Sequence, residues 1–151
     1  QLTLQEFLSI PGISQVPLAL NIKSDGILAD LDKALLEADI KDFFVFDMTF
    51  PQALDSIRRG LPTFRRISEF EKDYSDDLLW SGAWLDAFES DWWNDKHLRD
   101  ILTNYKKVAV VSPELHGREH RDMWRLLSSM AGLNNLYLCT DYPYEWTGGA
   151  A

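Results

Sequence analysis

The stretch VAVVSPELHGR, residues 108–118, joins a short apolar run to a series of polar residues. Its four consecutive apolar side chains, Val108–Val111, are typical of a strand that is buried on both faces of a parallel sheet. Glu114, His116 and Arg118 then follow at every second position. An acid, an imidazole and a guanidinium at the exit of a strand indicate either a functional site or a polar loop.

Similar apolar runs recur along the chain and alternate with segments of helical periodicity. The further runs are Leu18–Ile22, Phe43–Phe46, Phe64–Ile67, Ala83–Leu85 and Leu136–Cys139. Apolar residues recur at helical spacing within 27–36, 54–57, 98–102 and 123–130. The pattern Thr49-Phe-Pro-Gln52 predicts a capping box, and Gly60 and Gly132 predict helix ends. The alternation favours an α/β fold with a parallel sheet and about six βα units.

Polar residues close to the end of most apolar runs favour one architecture within this class. They include Asn21, Lys23, Asp47, Asp86, Glu114 and Asp141. A TIM-type (βα)8 barrel carries its active site on the carboxyl rim, and this gives such residues at many strands. An open doubly wound sheet would instead concentrate them at one crevice. The prediction is therefore a barrel, with the doubly wound sheet as the alternative.

The composition bounds the class of protein. The 151 residues have a formal net charge of −9 and are 46% hydrophobic, which predicts one globular domain over 1–143 and a flexible tail at 144–151. Nucleic-acid binding is not expected, because it depends on cations that neutralise phosphates. Cys139 is the one cysteine, which excludes an intramolecular disulfide and favours a cytoplasmic location. No apolar run approaches the ~20 residues of a transmembrane helix.

Four strand-end motifs resemble the later strands of the glycerophosphodiester phosphodiesterase family. They are, in the family's order, LALNIK (18–23), FFVFDM (43–48), VAVVSPE (108–114) and LYLCTDYP (136–143). This family belongs to the phosphoinositide-phospholipase-C-like phosphodiesterase superfamily. The resemblance implies a hydrolase of glycerol- or sugar-linked phosphodiesters on a TIM-type barrel, assisted by a divalent metal such as Mg or Ca.

The resemblance covers only the later two-thirds of such a barrel. The family's first strands supply a His-Arg pair, a Glu-x-Asp pair and a second histidine, and none of them has a counterpart upstream of LALNIK in this sequence. The resemblance therefore implies an incomplete barrel without its N-terminal strands, and we expect the 151 residues alone to be inactive. The alternative is a non-catalytic phosphate-ligand-binding or scaffold protein. A small phosphodiester is the expected ligand, and an open sheet edge is expected to favour a homo-oligomer.

The residues at the strand ends receive roles in this hypothesis. Lys23 would stabilise phosphoryl charge and His116 would transfer protons, so both are predicted to be catalytic. Asn21 and Asp47 are the predicted metal ligands, and Asn21 stands where the family usually has a glutamate, so weaker metal binding is expected. The predicted substrate-binding residues are Glu114, Arg118, Arg66, Trp84 and Asp86.

Several residues keep a structural alternative. Asp47 and Asp86 are also suited to cap the helices that follow them. Adjacent strand residues point to opposite faces, so one of Arg65 and Arg66 faces a lumen while the other forms a salt bridge, and the sequence does not decide which. Weaker candidates, expected at the surface or in packing, are Ser68, Glu69, Trp92, Trp93, His97, His120, Arg121 and Cys139.

Overall fold

The computed structural model of the chain describes residues 2–71, 79–130 and 132–146. The fold is α/β, and all six predicted strands are present with bounds that differ from the prediction by at most one residue. Two short 3-10 turns lie at Ile13–Gln15 and Pro113–His116. The elements are α1 (Leu4–Leu8), β1 (Leu18–Asn21), α2 (Leu28–Glu37), β2 (Phe43–Phe46), α3 (Phe50–Arg58), β3 (Phe64–Ile67), β4 (Gly82–Leu85), α4 (Asp95–Asn104), β5 (Val108–Val111), α5 (Arg121–Ser128) and β6 (Leu136–Cys139).

The first of two compact units comprises the described residues up to Phe64, together with 79–80. Its strands β1 and β2 pair in parallel, with Leu18 opposite Phe43. Helix α2 carries leucines at positions i, i+3 and i+7, which is the spacing of one helix face. These leucines are buried, and they pack in one core cluster with residues of β1 and β2; they are Leu28, Leu31 and Leu35.

The second unit comprises the described residues from Arg65 to Glu71 and from Ser81 onward. Its four-stranded sheet has the order β3-β4-β5-β6, and β5 pairs in parallel with both β4 and β6. Helices α4 and α5 cover one face of this sheet with apolar side chains. The core residues at this face include Ile67, Ala83, Leu85, Leu98, Ile101, Val108, Val110 and Leu127.

Strand alternation separates the two faces of this sheet and settles the orientation of the two arginines. Arg65 lies two residues before Ile67, which belongs to the core under the helices, so both point to that face. Nη1 of Arg65 accordingly donates to the hydroxyl of Tyr105 at 3.4 Å. Arg66 points to the opposite face, which it shares with Ser68.

The start of α3 differs in detail from the predicted capping box. Thr49 is the N-cap residue, and a proline occupies the first turn, but the Thr49 side chain makes no capping hydrogen bond. Nε2 of Gln52 donates instead to the backbone carbonyl of Ser24 at 2.8 Å. The predicted reciprocal capping box is therefore wrong, because the Gln52 side chain donates to a carbonyl of the loop after β1 and does not pair with Thr49. Gly60 and Gly132 have φ values of 78° and 99°, as expected of glycines that follow helices.

The single domain predicted for 1–143 stays a prediction. Within the predicted tail, residues 147–151 lie outside the described residues. Trp146 packs edge-on against Trp124, with 5.4 Å between the ring centroids. Throughout the described part of the chain, no helix combines the length and the apolar character needed to cross a bilayer.

Candidate active site

Polar residues at the ends of β4, β5 and β6 lie side by side in the second unit. The parallel register places Leu85 opposite Val110 and Val111 opposite Cys139. Parallel strands present their carboxyl ends at one edge of a sheet, so the residues that follow them are brought together. At this edge the side chains form two clusters, Asp86 with His116 and Glu114 with Ser112 and Thr140.

The first cluster is an aspartate–histidine pair. The Asp86 side chain is 8% exposed and the His116 side chain is 23% exposed. Oδ1 of Asp86 lies 2.7 Å from Nε2 of His116 and accepts the Ala87 amide at 2.8 Å. His116 ends the 3-10 turn after β5, and Gly117 closes that turn with φ 70°, a left-handed conformation that costs glycine little. A buried carboxylate that contacts a half-buried imidazole is an arrangement of a general base and its orienting group.

The imidazole of His116 is also held by the loop that follows β4. The ring centroid of Phe88 lies 4.9 Å from that of His116. Glu69 accepts the backbone amides of residues 88–90 at 3.1, 2.7 and 3.3 Å. Burial raises the pKa of Glu69, but these amides stabilise the carboxylate more, so the net shift of the pKa is downward. Glu69, a weak candidate in the sequence, therefore anchors the loop that places Phe88 against His116.

The second cluster surrounds the carboxylate of Glu114, whose side chain is 6% exposed. The hydroxyls of Ser112 and Thr140 both donate to it, and the amide of Asp141 donates at 3.3 Å. The indole N–H of Trp124 in turn donates to the Ser112 hydroxyl at 2.7 Å. Burial raises the pKa of Glu114, but the hydrogen bonds outweigh it and the pKa is lowered overall.

His120 belongs to this second cluster, although it was expected at the surface. Its side chain is 15% exposed, and its Nδ1 lies 3.9 Å from Oε2 of Glu114. Its ring lies 4.3 Å from that of Trp124 and 5.8 Å from that of Tyr142, measured between centroids. The sequence held a signal for this position, because His120 continues the alternate spacing of the polar residues before it. Arg121, by contrast, has a side chain that is 79% exposed, as predicted.

Arg118 connects the turn after β5 to the loop after β4. Its Nη1 donates to the carbonyl of Ala87 at 2.8 Å, and its Nη2 donates to the carboxylate of Asp91. The guanidinium is 21% exposed, whereas Asp91 is 77% exposed. Substrate binding by Arg118 stays a prediction, and its contacts show that it fixes the loop next to Asp86.

Arg66 and Trp84, two further predicted substrate-binding residues, share the sheet face of Asp86. Arg66 donates to Glu71 through Nη2 at 2.9 Å and also through Nε. The sequence predicted a salt bridge for the arginine on the helix side, whereas this ion pair is made by Arg66, the arginine of the opposite face. Trp84 is 7% exposed and is therefore part of a buried surface. Substrate binding by either residue stays a prediction.

The first unit carries its own polar cluster, at the ends of β1 and β2. Oδ2 of Asp47 accepts from Nδ2 of Asn21 at 3.2 Å and from the ammonium of Lys23. The Lys23 side chain is 69% exposed and that of Asp47 is 14% exposed. Asp47 has φ 63°, in the left-handed region that non-glycine residues seldom adopt. Asp47 is not the cap of α3, because Thr49 occupies that position.

No group of three or more histidine, cysteine, aspartate or glutamate residues is arranged to hold a metal ion in the described part of the chain. Cys139 is half-buried in β6. Burial raises the pKa of its thiol, and the carboxylates of Asp141, Asp86 and Glu114 raise it further. The thiol is therefore kept protonated and unreactive at neutral pH.

Comparison with known proteins finds no relative of the chain. No family model matches the chain, and neither a curated protein nor a solved structure shows a significant similarity to it. The site geometry and the strand-end resemblance are therefore the grounds for assigning a function.

Proposed function

We propose that the chain is a phosphodiesterase-like hydrolase domain in which His116, oriented by Asp86, transfers the proton during cleavage of a glycerol- or sugar-linked phosphodiester. The observation that carries the proposal is the 2.7 Å contact between Oδ1 of Asp86 and Nε2 of His116 at adjacent strand ends. We also infer an incomplete TIM-type (βα)8 barrel. This inference is supported by parallel strands and by helices that follow β1, β2, β4 and β5.

The proposed mechanism assigns one role to each group at the pair. Asp86 accepts a hydrogen bond from Nε2–H of His116 and so leaves the lone pair on Nδ1. Nδ1 removes a proton from the attacking water while the water oxygen bonds to phosphorus, and Asp86 stabilises the imidazolium that forms. The P–O bond to the leaving alcohol breaks, and His116 returns the proton to that oxygen.

Arg118 is the cation placed to assist this step. A guanidinium has five N–H donors, and the bonds to Ala87 and Asp91 use one on each of two nitrogens. The remaining donors are assigned to phosphoryl oxygens, whose negative charge they would stabilise in the transition state. Lys23 stays a predicted catalytic residue, and its contact in the first unit is with Asp47.

The residues predicted to hold Mg or Ca do not form a suitable donor set in the present arrangement. Asn21 presents its amide nitrogen to Asp47, and the Lys23 ammonium contacts the same carboxylate oxygen. A hard divalent cation needs oxygen ligands, and it is repelled by an ammonium that contacts the same carboxylate oxygen. The divalent ion stays a prediction, and no step of the proposed mechanism runs through it.

The test is hydrolysis of bis(p-nitrophenyl) phosphate, followed by absorbance with and without a chelator. Measurable turnover by the 151 residues would overturn the expectation that they are inactive alone. Replacing the general base in His116→Asn should lower kcat/KM about 100-fold or more. His97→Asn, at an exposed position of α4, is the matched control and should leave kcat/KM unchanged. Equal and measurable rates for His116→Asn and the unmodified chain would refute the assignment of the base.

A second candidate function is binding of a phosphate ligand without turnover. The observation that favours it is the saturation of Glu114, which accepts hydrogen bonds from Ser112, Thr140 and Asp141. A carboxylate held in this way stabilises the strand ends and is a poor proton donor. Absence of turnover under both conditions, with saturable binding of glycerophosphate in an NMR titration, would select this candidate over the hydrolase.

A further inference from the structure

Two phenylalanines, Phe88 and Phe70, adjoin the candidate active site and are called the aromatic platform below. The ring centroid of Phe88 lies 4.9 Å from that of His116, and the ring centroid of Phe70 lies 6.2 Å from that of Phe88. Phe88 is half-buried, whereas Phe70 is 64% exposed. The two phenyl rings therefore extend an apolar surface from the imidazole of the proposed base toward solvent.

The loop that carries Phe88 is fixed by charged side chains from both neighbouring strand exits. Glu69, after β3, accepts the backbone amides of residues 88–90 at 3.1, 2.7 and 3.3 Å. Arg118, beyond the turn that follows β5, donates to the carbonyl of Ala87 at 2.8 Å. These bonds hold the backbone on both sides of the phenyl ring before any ligand binds. A surface that is preorganised in this way loses little entropy when a ligand binds to it.

The backbone at Phe70 is held in a tight turn. The hydroxyl of Ser68 accepts the amides of Phe70 and Glu71 at 3.2 and 3.1 Å. The amide of Ser68 donates to the carbonyl of Glu71 at 3.0 Å, and the amide of Glu71 donates to the carbonyl of Ser68 at 3.2 Å. The exposed area of Phe70 gives the fold no hydrophobic stabilisation, because only apolar surface that is removed from water contributes. A ligand that covered this phenyl ring would gain that contribution.

We propose that the aromatic platform binds a six-membered ring in the alcohol part of the ligand, so that Phe88 and Phe70 determine specificity. This inference rests on the proposed function, which places the phosphate at His116. The alcohol of a phosphodiester is joined to phosphorus through a single oxygen, so it would lie beside the imidazole, where Phe88 packs. A six-membered ring presents several C–H groups or a π system to a phenyl face, whereas glycerol is an open chain with an oxygen on each carbon.

The test is a titration of the unmodified chain with glucose 1-phosphate, phenyl phosphate and glycerol 3-phosphate, followed by NMR of the phenylalanine and histidine ring protons. The three probes share a phosphate group and differ in the alcohol. At least one ring-bearing phosphate should bind about threefold to tenfold more tightly than glycerol 3-phosphate, which is the contribution of one aromatic contact. The tighter of the two ring-bearing phosphates distinguishes a sugar from an aryl ligand. Equally tight binding of glycerol 3-phosphate, or absence of saturable shifts with all three probes, would overturn the proposal.

Three leucine substitutions locate the ring of the ligand. Phe88→Leu keeps an apolar side chain beside His116 but removes the flat ring, so the preference for ring-bearing phosphates should be lost while glycerol 3-phosphate binds as before. Phe70→Leu changes an exposed side chain, so folding should be kept while the preference falls about twofold. Phe50→Leu, at a position of α3 that is 50% exposed, is the matched control and should leave the preference unchanged. An unchanged preference in both Phe88→Leu and Phe70→Leu would also overturn the proposal.

Turnover separates this inference from the proposed hydrolysis. The titration needs no turnover, so a ring preference that depends on Phe88 would support the aromatic platform even if bis(p-nitrophenyl) phosphate is not hydrolysed. Hydrolysis that depends on His116, without a ring preference in the titration, would support the proposed function and overturn the role of the aromatic platform.

Discussion

The Lys23–Asp47 pair of the first unit and the Asp86–His116 pair of the second begin from the same sequence signal. In both, an aspartate follows directly after a buried strand and meets a cationic or titratable partner. The Lys23 side chain is 69% exposed, and its ammonium contacts Asp47. His116 is 23% exposed and is packed by Phe88.

The difference lies in what surrounds each pair. An exposed lysine ammonium is hydrated, mobile and screened by salt, so its contact with a carboxylate contributes little to stability or to fixed geometry. An imidazole against a buried carboxylate keeps one orientation, and the backbone amide of Ala87, which donates to the Asp86 carboxylate, fixes the position of that carboxylate. An acid directly after a strand therefore predicts a polar residue at the rim of the sheet. Burial of the partner side chain then decides whether the pair keeps the fixed geometry that catalysis requires.

The largest change in stability is expected from Glu114→Gln in the second unit. The glutamine would turn an N–H₂ group toward hydroxyl or amide donors that now reach the carboxylate. The loss of these bonds in a buried position should lower the free energy of unfolding by about 1–3 kcal/mol. Urea denaturation followed by circular dichroism measures this difference.

Glu119→Gln is the matched control for that substitution. Glu119 is an exposed acid of the same segment, with a side chain that is 65% exposed. Its replacement should leave the midpoint of urea unfolding nearly unchanged. A Glu114→Gln variant as stable as Glu119→Gln would show that the second cluster contributes no more than an exposed contact.

A loss of stability at acid pH, of intermediate size, is expected from the carboxylate of Glu114. Since the pKa of Glu114 is lowered in the folded chain, its contribution is complete above the ordinary glutamate pKa of about 4.3 and is lost as the pH falls through the lowered folded value. The free energy of unfolding should therefore fall below about pH 5, and less steeply in Glu114→Gln. Urea unfolding between about pH 3 and pH 7 tests this.

Glu69 is the internal reference for that measurement. Its pKa is also lowered, so it contributes in the same direction and over a similar pH range. Glu69→Gln should reduce the acid-dependent fall in the free energy of unfolding independently of Glu114→Gln. The double variant should reduce this fall further. If the free energy of unfolding of Glu114→Gln falls as steeply at acid pH as that of the unmodified chain, the role given to the hydrogen bonds of Glu114 is contradicted.

The smallest change in stability is expected from Lys23→Met in the first unit. The exposed pair with Asp47 should contribute less than about 1 kcal/mol, and its contribution should shrink further as salt is added. Urea unfolding at low and high salt measures it. A loss as large as that of Glu114→Gln would remove the distinction between the two regions.

The sequence was sufficient for the strands but not for the pairing of side chains. Runs such as Val108–Val111 are short and apolar, so their strand assignment follows from local pattern. The contact between Asp86 and His116 depends on the register of β4 and β5 and on the left-handed turn at Gly117. Such long-range geometry is not encoded in any single short stretch of residues.

Two of the residues that matter at the site were undervalued for different reasons. Glu69 acts through backbone amides of a loop 19 to 21 residues further on, and an acceptor of amides leaves no motif in the sequence. His120 was assigned to the surface because it was expected to lie within the following helix, yet it is the residue before α5 and its Nδ1 lies 3.9 Å from Oε2 of Glu114. Glu114 was rightly placed at the strand end, and only the structure shows how many donors surround it.

The hydrogen bond from Trp124 to Ser112 gives the chain an intrinsic spectroscopic reporter. The Ser112 hydroxyl donates a hydrogen bond to Oε2 of Glu114, so protonation of that oxygen would turn the hydroxyl and would change its acceptance of the indole N–H. The chain has six tryptophans, few enough for their indole resonances to be separated. The chemical shift of one natural side chain would thus follow the charge state of the second cluster without any label attached near it.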